Sequence, residues 1–230
     1  MFNGKMKAVT FSYDDGVLQD EKLISIFNKY DLKGTFNLNS ELLGCPGGLN
    51  REGIRVDHTK FPPEVVKDMY KGHEVAVHTL THPNLTVLDE GEIIRQVNED
   101  RINLSKLVGY EVCGMAYPCG GVNNDERVAD IIQKNTKIKY ARTITSTFSF
   151  DLQDNLYRFN PTVHHMKWDE FEKLVKDFID LKTDKPALLY IWGHSYEFDV
   201  ENTWERFEDI CRDLSHRDDI FYGTNREVLL

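Results

Sequence analysis

Two adjacent carboxylates, Asp14 and Asp15, follow the apolar run Ala8-Val9-Thr10-Phe11 and precede Gly16. Two histidines four positions apart, His78 and His82, follow the run Glu74 to Val77. Pro118-Cys119-Gly120-Gly121 follows Gly114 to Tyr117, and Gly193-His194-Ser195 closes the continuous apolar run Ala187 to Trp192. Each fragment has a bland alternative. Asp-Asp-Gly is ordinary turn composition, a histidine pair at this spacing is weak evidence by itself, and a lone histidine is more often structural. Pro83 disfavours helix at His82, so the pair is predicted on a tight loop after a strand. What outweighs the bland readings is position, because two carboxylates and three histidines all fall at strand ends. Two imidazoles and one carboxylate can hold a divalent ion with positions left open. Such an ion acidifies water and polarises a carbonyl. A second carboxylate can take the proton of the attacking water, and a histidine opposite can protonate a leaving amine. Asp14 and Asp15, as neighbours, point in different directions, so one can bind metal while the other acts as base.

The elements that must position these residues alternate. Strands are predicted near 8–11, 34–38, 74–77, 114–117, 139–144, 156–159, 187–192 and 220–222. Helices are expected from Asp20, from Pro62-Pro63 through Tyr70, over 89–108, over 125–133, around Phe171 to Phe178, and from Trp204 to Leu214. Residues 39–61, rich in glycine, are predicted as a long loop of functional character. Seven or eight β units, each mostly followed by a helix, predict an α/β fold: a TIM-like parallel (β/α) barrel, distorted or incomplete at this length. An open doubly wound sheet is the alternative, but no Gly-rich phosphate loop follows the first strand. In a barrel, catalytic groups sit at the C-terminal ends of strands, where these residues lie.

Composition narrows the function classes. The 230 residues are 40% hydrophobic and 11% aromatic, enough for one domain with a core over 1–230. A formal net charge of -10 with no basic stripe excludes a nucleic-acid binder. No apolar run has the length of a membrane helix, and Met1 to Lys7 has no apolar h-region, so a cytoplasmic location is expected. Cys45, Cys113, Cys119 and Cys211 form no C-x-x-C and read as reduced, buried thiols. Ser195 lacks the G-x-S-x-G elbow of a serine hydrolase.

The segments Thr10-Phe11-Ser12-Tyr13-Asp14-Asp15-Gly16, His78-Thr79-Leu80-Thr81-His82, Ala116-Tyr117-Pro118-Cys119-Gly120 and Trp192-Gly193-His194 resemble the ordered motifs of the NodB-homology polysaccharide deacetylases, carbohydrate esterase family 4. The resemblance runs from Val9 to His194. It implies a single catalytic domain that removes acetyl groups from an N-acetylated carbohydrate. It also implies roles: Asp14 as general base; Asp15, His78 and His82 as ligands of one divalent metal, usually zinc, with cobalt or nickel accepted; His194 as general acid; and the backbone N–H of Cys119 as an oxyanion donor. Three departures stand out. Ala116 occupies the place of an arginine that contacts the base in many members, and Arg142 is the candidate replacement, against its reading as a structural ion pair. Cys119 stands where an aromatic residue is frequent. The acid that orients His194 is not evident, with Asp151 and Asp154 as candidates. His58, His73, His164, His165 and His216 carry no motif and read as surface or packing residues, with His164 and His165 near the barrel mouth. Trp204, on a helical stripe, reads as core rather than as a sugar platform. The competing functions are hydrolysis of another small amide or ureide C–N bond on the same fold, and a non-catalytic carbohydrate binder.

Overall fold

The computed structural model describes residues 2–51 and 53–230. Its main sheet is parallel throughout and curls into a distorted (β/α) barrel. In chain order the elements are β1 (Lys7–Asp14), α1 (Asp20–Lys29), β2 (Gly34–Leu38), β3 (Gly48–Arg51), β4 (Ile54–Asp57), α2 (Val66–Met69), β5 (Glu74–Val77), α3 (Glu90–Val108), β6 (Gly114–Ala116), α4 (Glu126–Asn135), β7 (Tyr140–Arg142), β8 (Val163–His164), α5 (Trp168–Asp180), β9 (Ala187–Gly193), α6 (Glu197–Glu201), α7 (Trp204–Leu214), β10 (Ile220–Tyr222) and α8 (Asn225–Leu229). The order across the sheet is β7-β6-β5-β2-β1-β9-β8, with β10 beside the first residues of β1. The parallel bridge Arg142–Phe159 lets the chain leading into β8 reach across from β7 toward β9.

The period of two along β1 explains how one strand serves both a core and a site. Val9, Phe11 and Tyr13 face the helices and join the main core with Phe27, Phe36, Phe171 and Phe207. Ala8, Thr10, Ser12 and Asp14 take the other face, inside the barrel. There Ala8 packs with Leu188, Tyr190 and Phe159 near the floor. Above it a hydrogen-bonded polar column rises: Thr10 to Asn225, Asn225 to Ser12, and Asn37 to both Ser12 and Asp14. Both faces of β1 and β9 are buried, as a parallel strand covered by helices requires. Helix α3 begins where Asp89 accepts from the Glu92 N–H and ends at Gly109 in the left-handed region (φ 82°).

Several expected elements differ. Residues 156–159 are not a strand. Leu156–Arg158 form a 3-10 turn, because the Asn155 side chain accepts from the Tyr157 N–H, and only Phe159 is bridged. The strand that closes this region, β8, is two residues long. The expected loop 39–61 contains the antiparallel hairpin β3–β4. The strand expected over 139–144 is confined to Tyr140–Arg142. Cys45 is exposed and Cys119 half-buried, so only Cys113 and Cys211 are buried thiols; all four are free. Trp204 is buried against Phe198 and donates to Asp199.

Candidate active site

The C-terminal ends of β1, β5 and β9 meet the loop after β6 at a cavity of about 440 Å3 whose wall includes Asp14, Asp15, His78, His82, Cys119 and His194. Asp14 is the last residue of β1 and points into the barrel. Arg142 Nη2 donates to its Oδ1 at 2.6 Å and its Oδ2 at 2.5 Å, and Asn37 donates to Oδ1 at 2.8 Å. Arg142 is fully buried, with its guanidinium 4.4 Å from the Trp192 ring centroid. Burial pushes the Asp14 carboxyl up, but Arg142, His78 and His194 outweigh it, so the group is held below the usual carboxylate range. The guanidinium thus comes from the end of β7, the strand next to the one that carries Ala116.

One residue later the backbone turns over. Asp15 has φ 86°, Thr79 φ 70°, His82 φ 62° and Cys119 φ 69°. Three of these left-handed non-glycine residues border the cavity and Thr79 adjoins His78, the kind of strain that collects at functional sites. Past this reversal the Asp15 carboxylate still meets that of Asp14 at His78, whose Nε2 lies 3.9 Å from Asp14 Oδ2. Asp15 Oδ1 lies 3.9 Å from His78 Nε2, 3.7 Å from His82 Nε2 and 3.5 Å from Lys60 Nζ, and its Oδ2 lies 2.9 Å from His58 Nε2. Burial raises the Asp15 carboxyl, but His58, Lys60, His194 and His78 together hold it well below the carboxylate range.

The donor set fits a divalent ion. Ligand-type atoms of Asp15, His78 and His82 all lie within 4.8 Å of one another. His78 Nδ1 is 2.9 Å from the Ala116 carbonyl, which can only accept, so the ring proton sits on Nδ1 and the lone pair of Nε2 faces Asp15. Burial depresses His78 to about 4, which keeps it neutral as a ligand must be. The Asp100 carboxylate accepts from the His78 N–H, and Asn39 donates to the carbonyls of His78 and Thr79, so the strand end is held from behind.

A second trio, His164, His165 and Glu197, also clusters closely enough to suggest a metal, but its protons argue otherwise. His164 Nδ1 accepts from the Met166 N–H, so a neutral His164 carries its proton on Nε2, which faces Glu197 at 3.4 Å. That atom is a donor, not a ligand. Glu197 is instead an acceptor for its surroundings. It takes the His194 N–H at 2.9 Å and lies 3.2 Å from His194 Nδ1 and 3.1 Å from His165 Nε2, while Tyr13 holds the other nitrogen of His165. Burial lowers His194, but Glu197, Asp15 and Asp14 more than reverse this and lift it to about 9.

All seven residues named from the sequence border this site or, for Arg142, contact a residue that does. Cys119 lies with Sγ 3.4 Å from the His82 carbonyl and 3.8 Å from His82 Nδ1, and its N–H makes no hydrogen bond among the described residues. Asp151 and Asp154 do not orient His194. Asp151 is exposed and accepts from Ser149, and Asp154 is exposed as well. The carboxylate against His194 is Glu197, and a carboxylate three residues after the histidine was the available signal. His58, His164 and His165 are not mere packing residues, since they contact Asp15 and Glu197. His73 is a packing residue among Phe27 and Phe36, and His216 is at the surface.

Residues 3–139 match the family model described as polysaccharide deacetylase. The chain is 22% identical over 186 residues to the peptidoglycan-N-acetylmuramic acid deacetylase PdaC of Bacillus subtilis, covering 77% of this chain and 37% of that protein. It therefore spans about a third of the length of the curated relatives it matches. Among solved structures, a family 4 acetyl xylan esterase from Clostridium thermocellum in complex with a cobalt ion superposes with TM-score 0.60 at 15% identity, over 97% of this chain and 90% of that one. A CE4 family pseudoenzyme from Bacillus anthracis superposes with TM-score 0.59 at 19% identity, over 97% and 66%. These two likenesses are of fold. A pseudoenzyme shares the fold with active esterases, so activity must be argued from the side chains.

Proposed function

The chain belongs to the polysaccharide deacetylase family, and from that premise we propose that it is a metal-dependent hydrolase that removes N-acetyl groups from an acetamido sugar or oligosaccharide. We propose that residues 1–230 act as one catalytic domain. One observation carries the reading: an ionised Asp14 and a histidine lifted to about 9, His194, border the same cavity as the Asp15–His78–His82 donor set.

In this reading Asp15, His78 and His82 hold the ion, most simply zinc, with cobalt or nickel as substitutes. When bound, the ion supplies Lewis acidity and a lowered pKa for water. Asp14, fixed by Arg142 and Asn37, accepts the proton of the water that attacks the acetamide carbon. The Cys119 N–H donates to the oxygen that gains negative charge as the carbon becomes tetrahedral. His194, protonated and steadied by Glu197, gives its proton to the nitrogen as the C–N bond breaks. The products are acetate and a free amino sugar. An amide needs both proton transfers because an unprotonated amine is a poor leaving group.

The test is acetate release by the zinc-loaded protein from a panel of N-acetylated sugars, with a small ureide as control. Turnover of the sugars, lost together with bound metal in His78→Ala, is the expected result. Full stoichiometric metal retained in His78→Ala removes that residue from the site, and turnover of the ureide alone replaces the sugar reading with the amide one.

A further inference from the structure

We propose that the sugar carries an anionic substituent, a carboxylate or a phosphate ester, and that Arg51 binds it. The proposal rests on the deacetylase reading above and narrows its substrate class. The charged side chains bordering the cavity, apart from histidines, are Asp14, Asp15, Arg51 and Lys60. Both acids are already engaged, Asp14 by Arg142 and Asn37 and Asp15 by His58 and Lys60. Arg51 has no carboxylate within ion-pair distance among the described residues. Its one hydrogen bond there runs from Nη2 to the Tyr196 hydroxyl at 3.0 Å, leaving most of a planar donor fork unused. That fork matches carboxylate and phosphate oxygens in pairs.

The presentation of Arg51 is built. It ends β3, which pairs with β4. The hairpin is held on the site by a small apolar cluster of its own, in which Val56 and Leu49 pack with Val17, Tyr196 and Val200. Tyr196, the residue Arg51 grips, is buried, with its ring centroid 5.1 Å from that of His58 and 5.1 Å from that of His194. Arg51, itself exposed, is thereby placed one aromatic ring from His194. A chain of net charge -10 repels anions at long range. Screening over roughly 10 Å at 0.1 M salt leaves the local cation to decide what enters.

Acetate release by the zinc-loaded protein is compared for N-acetylglucosamine, N-acetylmuramic acid and N-acetylglucosamine 6-phosphate, in wild type, Arg51→Ala and Arg51→Glu. Calorimetric binding of the same three sugars to Asp14→Asn runs beside it. Wild type should favour one of the anionic sugars by about tenfold or more in kcat/KM, and the favoured one tells carboxylate from phosphate. Arg51→Glu should erase that preference, mostly through KM, and added salt should weaken it. Equal handling of neutral and anionic sugars, or an equal loss for both in Arg51→Glu, overturns the proposal while leaving the deacetylase reading intact. If no sugar is hydrolysed, the deacetylase reading fails. The calorimetry then decides this one, and anionic sugars that bind no more tightly than N-acetylglucosamine overturn it.

Discussion

At the scale of single residues, the site divides into pairs with opposite electrostatic tasks. Arg142 keeps Asp14 ionised from below, and Glu197 keeps His194 protonated from the side. For His194 the sign is definite. Its affinity for a proton is raised, so the acid form persists until the pH passes about 9 and is lost above that. Replacing Glu197 with Gln removes the largest upward push, and the basic limb of the pH–rate profile should move to lower pH while metal content stays unchanged. A basic limb that stays in place in Glu197→Gln would detach Glu197 from the acid step. The motif residues could be read from the sequence because each directly follows an apolar strand run, which is where barrel chemistry lies. Their supports could not. His58 reaches Asp15 from a hairpin whose residues show no periodicity. His164 ends a two-residue strand and His165 follows it, and that strand is too short to leave any pattern. Glu197 sits in a helical segment rich in acids, where a solvated carboxylate is the default reading.

At the scale of elements, long strands and capped helices were legible because burial on both faces writes continuous apolar runs, as in β9, and because α3 carries both its cap residues. What could not be read were elements made by tertiary pairing, β8 and the hairpin, and a 3-10 turn made by one asparagine. The loop after β9 depends on a contact of this second kind. Asp20, the first residue of α1, is fully buried and accepts from Ser195 Oγ at 2.6 Å and from the Tyr70 hydroxyl at 2.8 Å, so α1 grips the residue after His194. Burial raises Asp20 to about 7, with the two hydroxyls pulling the other way. A folded pKa above the unfolded value means a contribution that is complete below about pH 4 and is lost as pH rises through about 7. Asp100 is raised to about 7 by the same cause and adds to that fall. Asp20→Asn, which keeps an acceptor and cannot ionise, should therefore flatten the decline in melting temperature between pH 5 and pH 8. Each kcal/mol recovered is worth about 2–4 °C in a chain of this size. An unchanged decline in that variant would mean that Asp20 ionises in the folded protein as it does in the unfolded one.

At the scale of the whole molecule, the curled sheet brings groups from distant parts of the chain onto one rim, and an ion bound there would become part of the stability of the fold. Asp15 directly follows β1, His78 and His82 follow β5, and Arg142 ends β7, so the ion would tie the β1 end to the β5 end across β2. The unfolded chain offers no such geometry, so binding energy adds to folding energy. At a free zinc concentration about a thousand times the dissociation constant, the added stability is roughly 4 kcal/mol. At about 2–4 °C per kcal/mol for this length, that corresponds to a rise of about 8–16 °C in melting temperature. Protons compete with the ion for the same histidines, and the direction follows from burial. His78 is depressed to about 4 and His82 is lowered by the same desolvation, so both charge at a lower pH than free imidazole does. The zinc increment should therefore survive from pH 8 to about pH 5.5 and collapse only below that. Chelation should remove it at any pH in that range, readdition should restore it, and His78→Ala should lack it altogether. A melting temperature indifferent to chelator and zinc in the wild-type protein would separate this fold from the metal its donor set fits.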